Sequence, residues 1–247
     1  MASTQTFLEE VLQQHFDDAS FFADIRRGTT FQPNLKLDDL VKFDSRIEAN
    51  VSGLLASGDG AWEFCREQWD TKDAGGLTII LRVALAFEKF EFLAEKLEAS
   101  GASDIVSKAL GEALSWQDER QLAAVDSEFA KRKAALGQEA IYRARLCHRA
   151  LDPEMAAQHL EGDTLPFPVL SMRGVGEMGH RSLLPHCHRL LQDECEDLRF
   201  WAAWSAVLVG DRAAAEVVQS HVHPGAGNLR AAIFLAPRVL GLSLIHI

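Results

Sequence analysis

Residues 198–212 have the sequence LRFWAAWSAVLVGDR. This mainly apolar segment ends at Gly210 and is followed directly by the polar residues Asp211 and Arg212. The spacing of its apolar residues is typical of a buried helix, and glycine often closes such a helix because it accepts a positive φ. Gly179 and Gly241 lie 31 residues before and after Gly210. A fixed spacing of this kind indicates a repeated structural unit.

The residues that precede each glycine share one frame. Three registers align, namely Ile141, Met172, Ala203 and Phe234; Ala144, Val175, Ala206 and Pro237; and Cys147, Met178, Val209 and Leu240. A shorter amphipathic segment follows two of the glycines, at residues 181–191 and 212–219. One such helix pair cannot bury its apolar face alone, whereas stacked neighbours bury a continuous core. The pattern therefore predicts a helical-repeat solenoid.

Helical periodicity also runs through the first hundred residues, where strand signals are nearly absent. The predicted segments are an amphipathic helix at 7–25, a second helix at 37–55, a short helix at 61–69, and a buried helix followed by an amphipathic one within 77–97. Glycines at 58, 60, 75 and 76 are expected to separate them. Pro237 falls late in the last predicted helix and is expected to kink or shorten it.

Residues 198–212 are similar to a short HEAT-like repeat of the bacterial kind, and the chain resembles an uncharacterised bacterial HEAT-repeat family. The resemblance extends to residues 14–21 and 38–49, and it spans most of residues 8–241. It implies an armadillo-like α-α superhelix and says almost nothing about activity. Members of that family are sometimes encoded near type VI secretion genes, so the resemblance implies a genomic setting and no chemistry.

Together, the pattern and the resemblance predict an all-α fold with a HEAT-like solenoid. We expect a helical N-terminal region at 1–100 and HEAT-like repeats of about 31 residues at 103–241, joined as one continuous superhelix. Residues 242–247, LSLIHI, resemble a translated sequencing-adapter tail. We interpret them as a non-native tail and expect further repeats in the native chain.

The net charge bears on the class of partner, and the cysteine spacing bears on the cellular compartment. The 247 residues hold 25 Lys and Arg against 36 Asp and Glu, a net charge of −11, and residues 1–100 account for −8 of it. An acidic chain is a poor match for nucleic acid or an anionic membrane. The sequence has no signal-peptide pattern, and its four cysteines lack zinc or disulfide-scaffold spacing. These features predict a cytoplasmic protein with neither nucleic acid nor membrane as its partner.

The histidines do not form a convincing metal site. His186 and His188 flank Cys187 and point to nearly opposite sides of a helix, while His180 lies before that helix. His221 and His223 flank Val222 in a predicted turn and indicate at most a weak site. A solvated helix face and a polar turn are the simpler interpretations, so no metal or cofactor is predicted.

Two sequence patterns resemble catalytic motifs but lack the context that such motifs need. Cys147 precedes His148, but neighbours on a helix diverge by about 100°, and Cys147 occupies an apolar register typical of a buried structural cysteine. Residues 173–179 contain G-x-G-x-x-G, yet no strand precedes them and the last glycine is the repeat corner. The sequence therefore predicts no catalytic, cofactor-binding or metal-binding residue.

The predicted function is a non-enzymatic adaptor or scaffold whose curved face binds another protein, because extended surfaces are what solenoids offer. Polar, non-register positions of the second helices are expected to line that face. Trp201 and Trp204, beside Phe200, fit either the core between repeats or an aromatic anchor for a partner. The alternative is a HEAT-repeat enzyme, a lyase or a metal-dependent enzyme, with a site that the sequence does not reveal. Some HEAT-repeat enzymes bind a di-iron centre through His-Glu pairs on successive helices, and no His-Glu dipeptide occurs in this sequence.

Overall fold

The computed structural model describes residues 2–29, 35–71, 73–100, 104–132, 135–161 and 167–240. Every regular element in these ranges is helical, which confirms the predicted all-α class. The helices are α1 (Ala2–Thr29), α2 (Leu37–Leu55), α3 (Asp59–Glu67), α4 (Ala74–Ala86), α5 (Phe90–Ser100), α6 (Asp104–Leu114), α7 (Glu119–Arg132), α8 (Ala135–Cys147), α9 (Pro153–Leu160), α10 (Phe167–Met178), α11 (Leu184–Leu190), α12 (Glu196–Val209), α13 (Ala215–Ser220) and α14 (Leu229–Leu240).

The chain forms two compact units, Met1–Ala144 and Arg145–Ile247. The division predicted from the sequence near residue 100 concerns the repeat pattern and stays a prediction. Among the described residues, no helix combines the length and the apolar composition needed to cross a bilayer. Residues 241–247, which include Gly241 and the tail interpreted as non-native, lie outside the described part.

Helix α4 is the centre of the first unit, because every residue from Gly75 to Leu85 is buried. A helix that is apolar all round must be enclosed by other elements. Ile79, Ile80 and Val83 join a core cluster with residues of α1, α2 and α3. Leu77 and Leu81 join a second cluster with residues of α5 to α8.

The start of α4 corrects the sequence prediction. Gly75 and Gly76 were expected to separate helices, but α4 begins at Ala74 and contains both. Asp73 caps it by accepting a hydrogen bond from the backbone N–H of Gly76. A Cβ at position 75 would overlap the backbone oxygen of Ser20, so glycine lets α1 approach α4 closely.

The described part of the second unit contains the same kind of helix-ending turn, which we call a corner, at three positions. Gly179 and Gly210 have positive φ values of 72° and 116°, as the repeat pattern predicts. After each, a backbone N–H donates to the carbonyl oxygen five residues earlier, from His180 to Val175 at 2.9 Å and from Asp211 to Ala206 at 2.8 Å. Arg149 forms the same corner with φ 54° and no glycine. These bonds satisfy carbonyls that a helix end leaves unpaired.

Long and short helices alternate after these corners. A turn of 3-10 helix follows Gly179 at Arg181–Leu183 and leads into α11, and another at Arg212–Ala214 leads into α13. Helix α12 packs against α10, α11 and α13, and α13 packs against α14. Helix α14 continues through Pro237 to Leu240, so the proline does not shorten it.

Candidate functional site

The two histidine groups contribute hydrogen bonds to the fold. His180 donates from Nε2 to the carbonyl oxygen of Leu151 at 2.8 Å, and His188 Nε2 lies 2.8 Å from a carboxylate oxygen of Asp211. His221 is buried against the ring of Phe200. Within the described residues, no group of three or more His, Cys, Asp or Glu side chains is placed to hold a metal ion.

Gly174 and Gly176 of the G-x-G-x-x-G motif lie within helix α10, and Gly179 follows the end of that helix. A Cβ at Gly174 would contact the side chains of Leu151 and Leu146, and a Cβ at Gly176 would contact Ser205. Both glycines therefore serve close helix packing. The motif has no strand before it among the described residues, and its last glycine is a repeat corner.

Cys147 departs from its prediction. It was expected to be a buried structural cysteine because it shares a register with Val209, but it is exposed at the end of α8. The corner after α8 lies at Arg149, two residues beyond Cys147, so Cys147 occupies the position of exposed Leu208 and not that of buried Val209, which directly precedes its corner. Cys65 and Cys187 are the buried cysteines.

Thiol labelling separates these cysteines. Burial raises the pKa of Cys65 to about 12 and, as the main cause, raises the pKa of Cys187 to about 11. The thiolate is the reactive form, so both should resist iodoacetamide at pH 8 in the native protein, whereas exposed Cys147 should react. Peptide mapping by mass spectrometry measures this, with urea-unfolded protein as the control. Labelling of Cys65 as fast as that of Cys147 would contradict the structure.

The aromatic residues of α12 divide between core and surface. Phe200 is fully buried, whereas the core interpretation concerned Trp201 and Trp204. Trp201 and Trp204 are only partly buried and lie edge to face, with ring centroids 5.2 Å apart. Leu208, one turn beyond Trp204, is 42% exposed.

Trp204 and Leu208, together with Arg173 and Glu177, border a shallow groove of about 670 Å³ in the second unit. We call the surface formed by Arg173, Glu177, Trp201, Trp204 and Leu208 the aromatic surface. Arg173 pairs with Glu177 at 2.6 Å, and its guanidinium lies 5.4 Å from the ring centroid of Trp201. The surface thus combines rigid aromatic rings, an aliphatic side chain and a fixed ion pair, which are features of protein-binding sites.

The position of this surface differs from the prediction. Polar positions on the second, shorter helices were expected to line a binding face. The aromatic surface instead lies on the longer helices α10 and α12. Sequence periodicity places Trp201 and Trp204 one turn apart but does not show which side of α12 the neighbouring helices cover.

A second groove lies in the first unit, between α1 and α3, and has a volume of about 870 Å³. Leu8, Leu12 and Phe64 give it an apolar floor. We call it the acidic groove because its other lining residues are mainly carboxylates. The sequence shows these acids only as scattered residues, because α1 and α3 are far apart along the chain.

Comparison with known proteins gives no relative. No protein-family model matches this chain, and neither a curated protein nor a solved structure matches it. A function must therefore be inferred from the two surfaces and the fold that presents them.

Proposed function

We propose that the chain is a non-enzymatic adaptor, a HEAT-like helical-repeat protein whose second unit binds another protein. The observation that carries this proposal is the aromatic surface, where Trp204 and Leu208 lie partly open to solvent beside the Arg173–Glu177 ion pair. Tryptophan and arginine are enriched at the energetic centres of protein interfaces.

Hydrogen bonds between successive repeats support the HEAT-like part of the proposal. His180 bonds to Leu151 and Arg189 bonds to Leu160, each across 29 residues, and Asn228 donates to Asp197 across 31 residues. A spacing close to the 31-residue period is expected where each repeat contacts its neighbour. We further propose that the adaptor acts in the bacterial cytoplasm, and the resemblance to a bacterial HEAT-repeat family suggests a setting linked to type VI secretion.

Leu208→Asp tests the proposal. Because Leu208 is 42% exposed and lies in the last turn of α12, where a carboxylate opposes the helix dipole, the change should cost no more than about 1–2 kcal/mol and leave the protein folded. A charge at the centre of an interface should reduce capture of a partner by at least about tenfold. The measurement is affinity capture from the native lysate, quantified by mass spectrometry.

Ile105→Asp is the matched control, since Ile105 is an aliphatic residue of the first unit with 41% exposure. The proposal expects one protein that the wild type and the control capture equally and that Leu208→Asp loses. If every captured protein is retained by Leu208→Asp, the aromatic surface is not the binding site.

A further inference from the structure

The acidic groove has the dimensions and the floor of a peptide-binding site. Its volume of about 870 Å³ falls within the range of about 300–1,000 Å³ typical of ligand pockets. In its apolar floor, Leu8 of α1 is 44% exposed and the ring of Phe64 of α3 is half-buried. Phe64 is held edge-on by Phe16, with centroids 5.9 Å apart. The groove thus offers fixed apolar surface to a ligand.

Its charge is of one sign. Six carboxylates line it, namely Glu9, Glu10, Asp17, Asp18, Glu63 and Glu67, and none of its described lining residues is Lys or Arg. Arg66, on α3, pairs with Glu63 at 2.5 Å, and Gln13 donates to Asp17 at 2.8 Å. Glu9 lies on α1 and Glu67 on α3, on opposite sides of the groove. Within the described residues, neither has a basic partner.

Such a groove favours a cationic occupant, because like charges on facing walls repel and focus their field into the cleft. A lone metal ion would leave Leu8 and Phe64 unused, and the acidic residues are not arranged as a metal-binding group within the described part of the chain. A ligand that matches both features carries basic side chains around an apolar anchor. An amphipathic helix has this form.

We propose that the acidic groove binds a basic amphipathic helix of a partner protein. The helix places a bulky apolar side chain on Leu8 and Phe64 and its lysines or arginines against Glu9 and Glu67. This inference concerns only the first unit and does not depend on the aromatic surface. Because opposite charges steer encounter, binding weakens as salt rises.

The test uses a fluorescein-labelled peptide of Leu and Lys, about 16 residues long, with its leucines at helical i, i+3, i+4 and i+7 spacing. A second peptide has the same composition in an order without an apolar face. Fluorescence anisotropy gives the Kd of each for the full chain. The proposal expects the amphipathic peptide to bind at least about tenfold more tightly than its control.

Charge-reversal variants locate the site. Glu9→Lys with Glu67→Lys should raise the Kd at least about tenfold, whereas Glu95→Lys with Glu98→Lys, the same charge change on exposed positions of α5, should change it less than about twofold. Glu9→Gln with Glu67→Gln replaces the first pair if charge reversal unfolds the protein. Leu8→Ser should weaken binding several-fold.

Equal weakening by both lysine pairs, or equal binding of both peptides, would overturn the proposal in favour of nonspecific attraction. Leu208→Asp should not alter this Kd.

Discussion

Replacing Gly176 with alanine should lower the free energy of unfolding by about 2–3 kcal/mol. The new Cβ would lie 2.6 Å from Oγ and 2.7 Å from Cα of Ser205. A rotamer change can move the hydroxyl, but the Cα belongs to the backbone of α12, so α10 and α12 must separate. The hydrogen bond from Ser205 Oγ to the carbonyl oxygen of Met172 would be strained as well.

Urea unfolding followed by circular dichroism measures this effect. Gly60→Ala is the matched control, because Gly60 lies in α3 and, apart from its chain neighbours and its own helix backbone, no atom of the described residues lies within 4 Å of the Cβ that it would gain. Alanine is the better helix former, so the control should equal the wild type or exceed it by up to about 1 kcal/mol. A Gly176→Ala protein as stable as the control would show that α10 and α12 are not in close backbone contact.

Replacing Glu48 with alanine should destabilise the first unit by about 2 kcal/mol, even though half of its side chain is exposed. Glu48 accepts a hydrogen bond from Arg82 Nη2, and Arg82 is only 7% exposed in the middle of α4. Among the described residues, Nε and Nη1 of Arg82 have no hydrogen-bond partner. Without Glu48, the guanidinium would keep the ring of Trp116, whose centroid is 4.3 Å away, and the charges of Glu112 and Asp44, but it would have no hydrogen-bonded carboxylate among the described residues.

Burial lowers the pKa of Arg82, which shows that the protein interior disfavours its charge. Arg82→Met removes that charge and keeps an apolar side chain of similar length, so stability should stay within about 1 kcal/mol of the wild type. Removing the partly exposed acid should thus cost more than removing the buried base.

Glu63→Ala is the control for this comparison, because Glu63 and Arg66 form a pair that is half exposed on both sides. Its loss should cost less than about 0.5 kcal/mol. Urea unfolding of the three variants ranks them. An Arg82→Met protein that is less stable than Glu48→Ala would contradict the claim that the charge of Arg82 is stabilised mainly by Glu48.

The sequence predicts individual helices well where a helix has one apolar face. The range predicted for α2 matches Leu37–Leu55, and the segment at 77–97 does contain a buried helix followed by a second helix. The glycine corners at Gly179 and Gly210 were also predictable, because positive φ favours glycine.

The remaining features depend on contacts between residues far apart in sequence. Arg149 forms a repeat corner with φ 54°, which a search for glycines misses. Position 75 is a helical glycine because the backbone oxygen of Ser20 leaves no room for a Cβ. The buried guanidinium of Arg82 depends on its contacts with Glu48 and Trp116. Neither surface was predictable, since exposure on α12 and the meeting of α1 with α3 are set by tertiary packing.

The most direct test of the adaptor proposal is photo-crosslinking from the aromatic surface in the native host. Benzoylphenylalanine replaces Leu208 in the chain, and the control places it at Glu216, an exposed residue of α13. After irradiation, the account predicts one discrete adduct between the position-208 protein and a second protein, and no such adduct from position 216. No adduct from position 208, or the same adducts from both positions, would contradict the claim that this surface binds a protein partner.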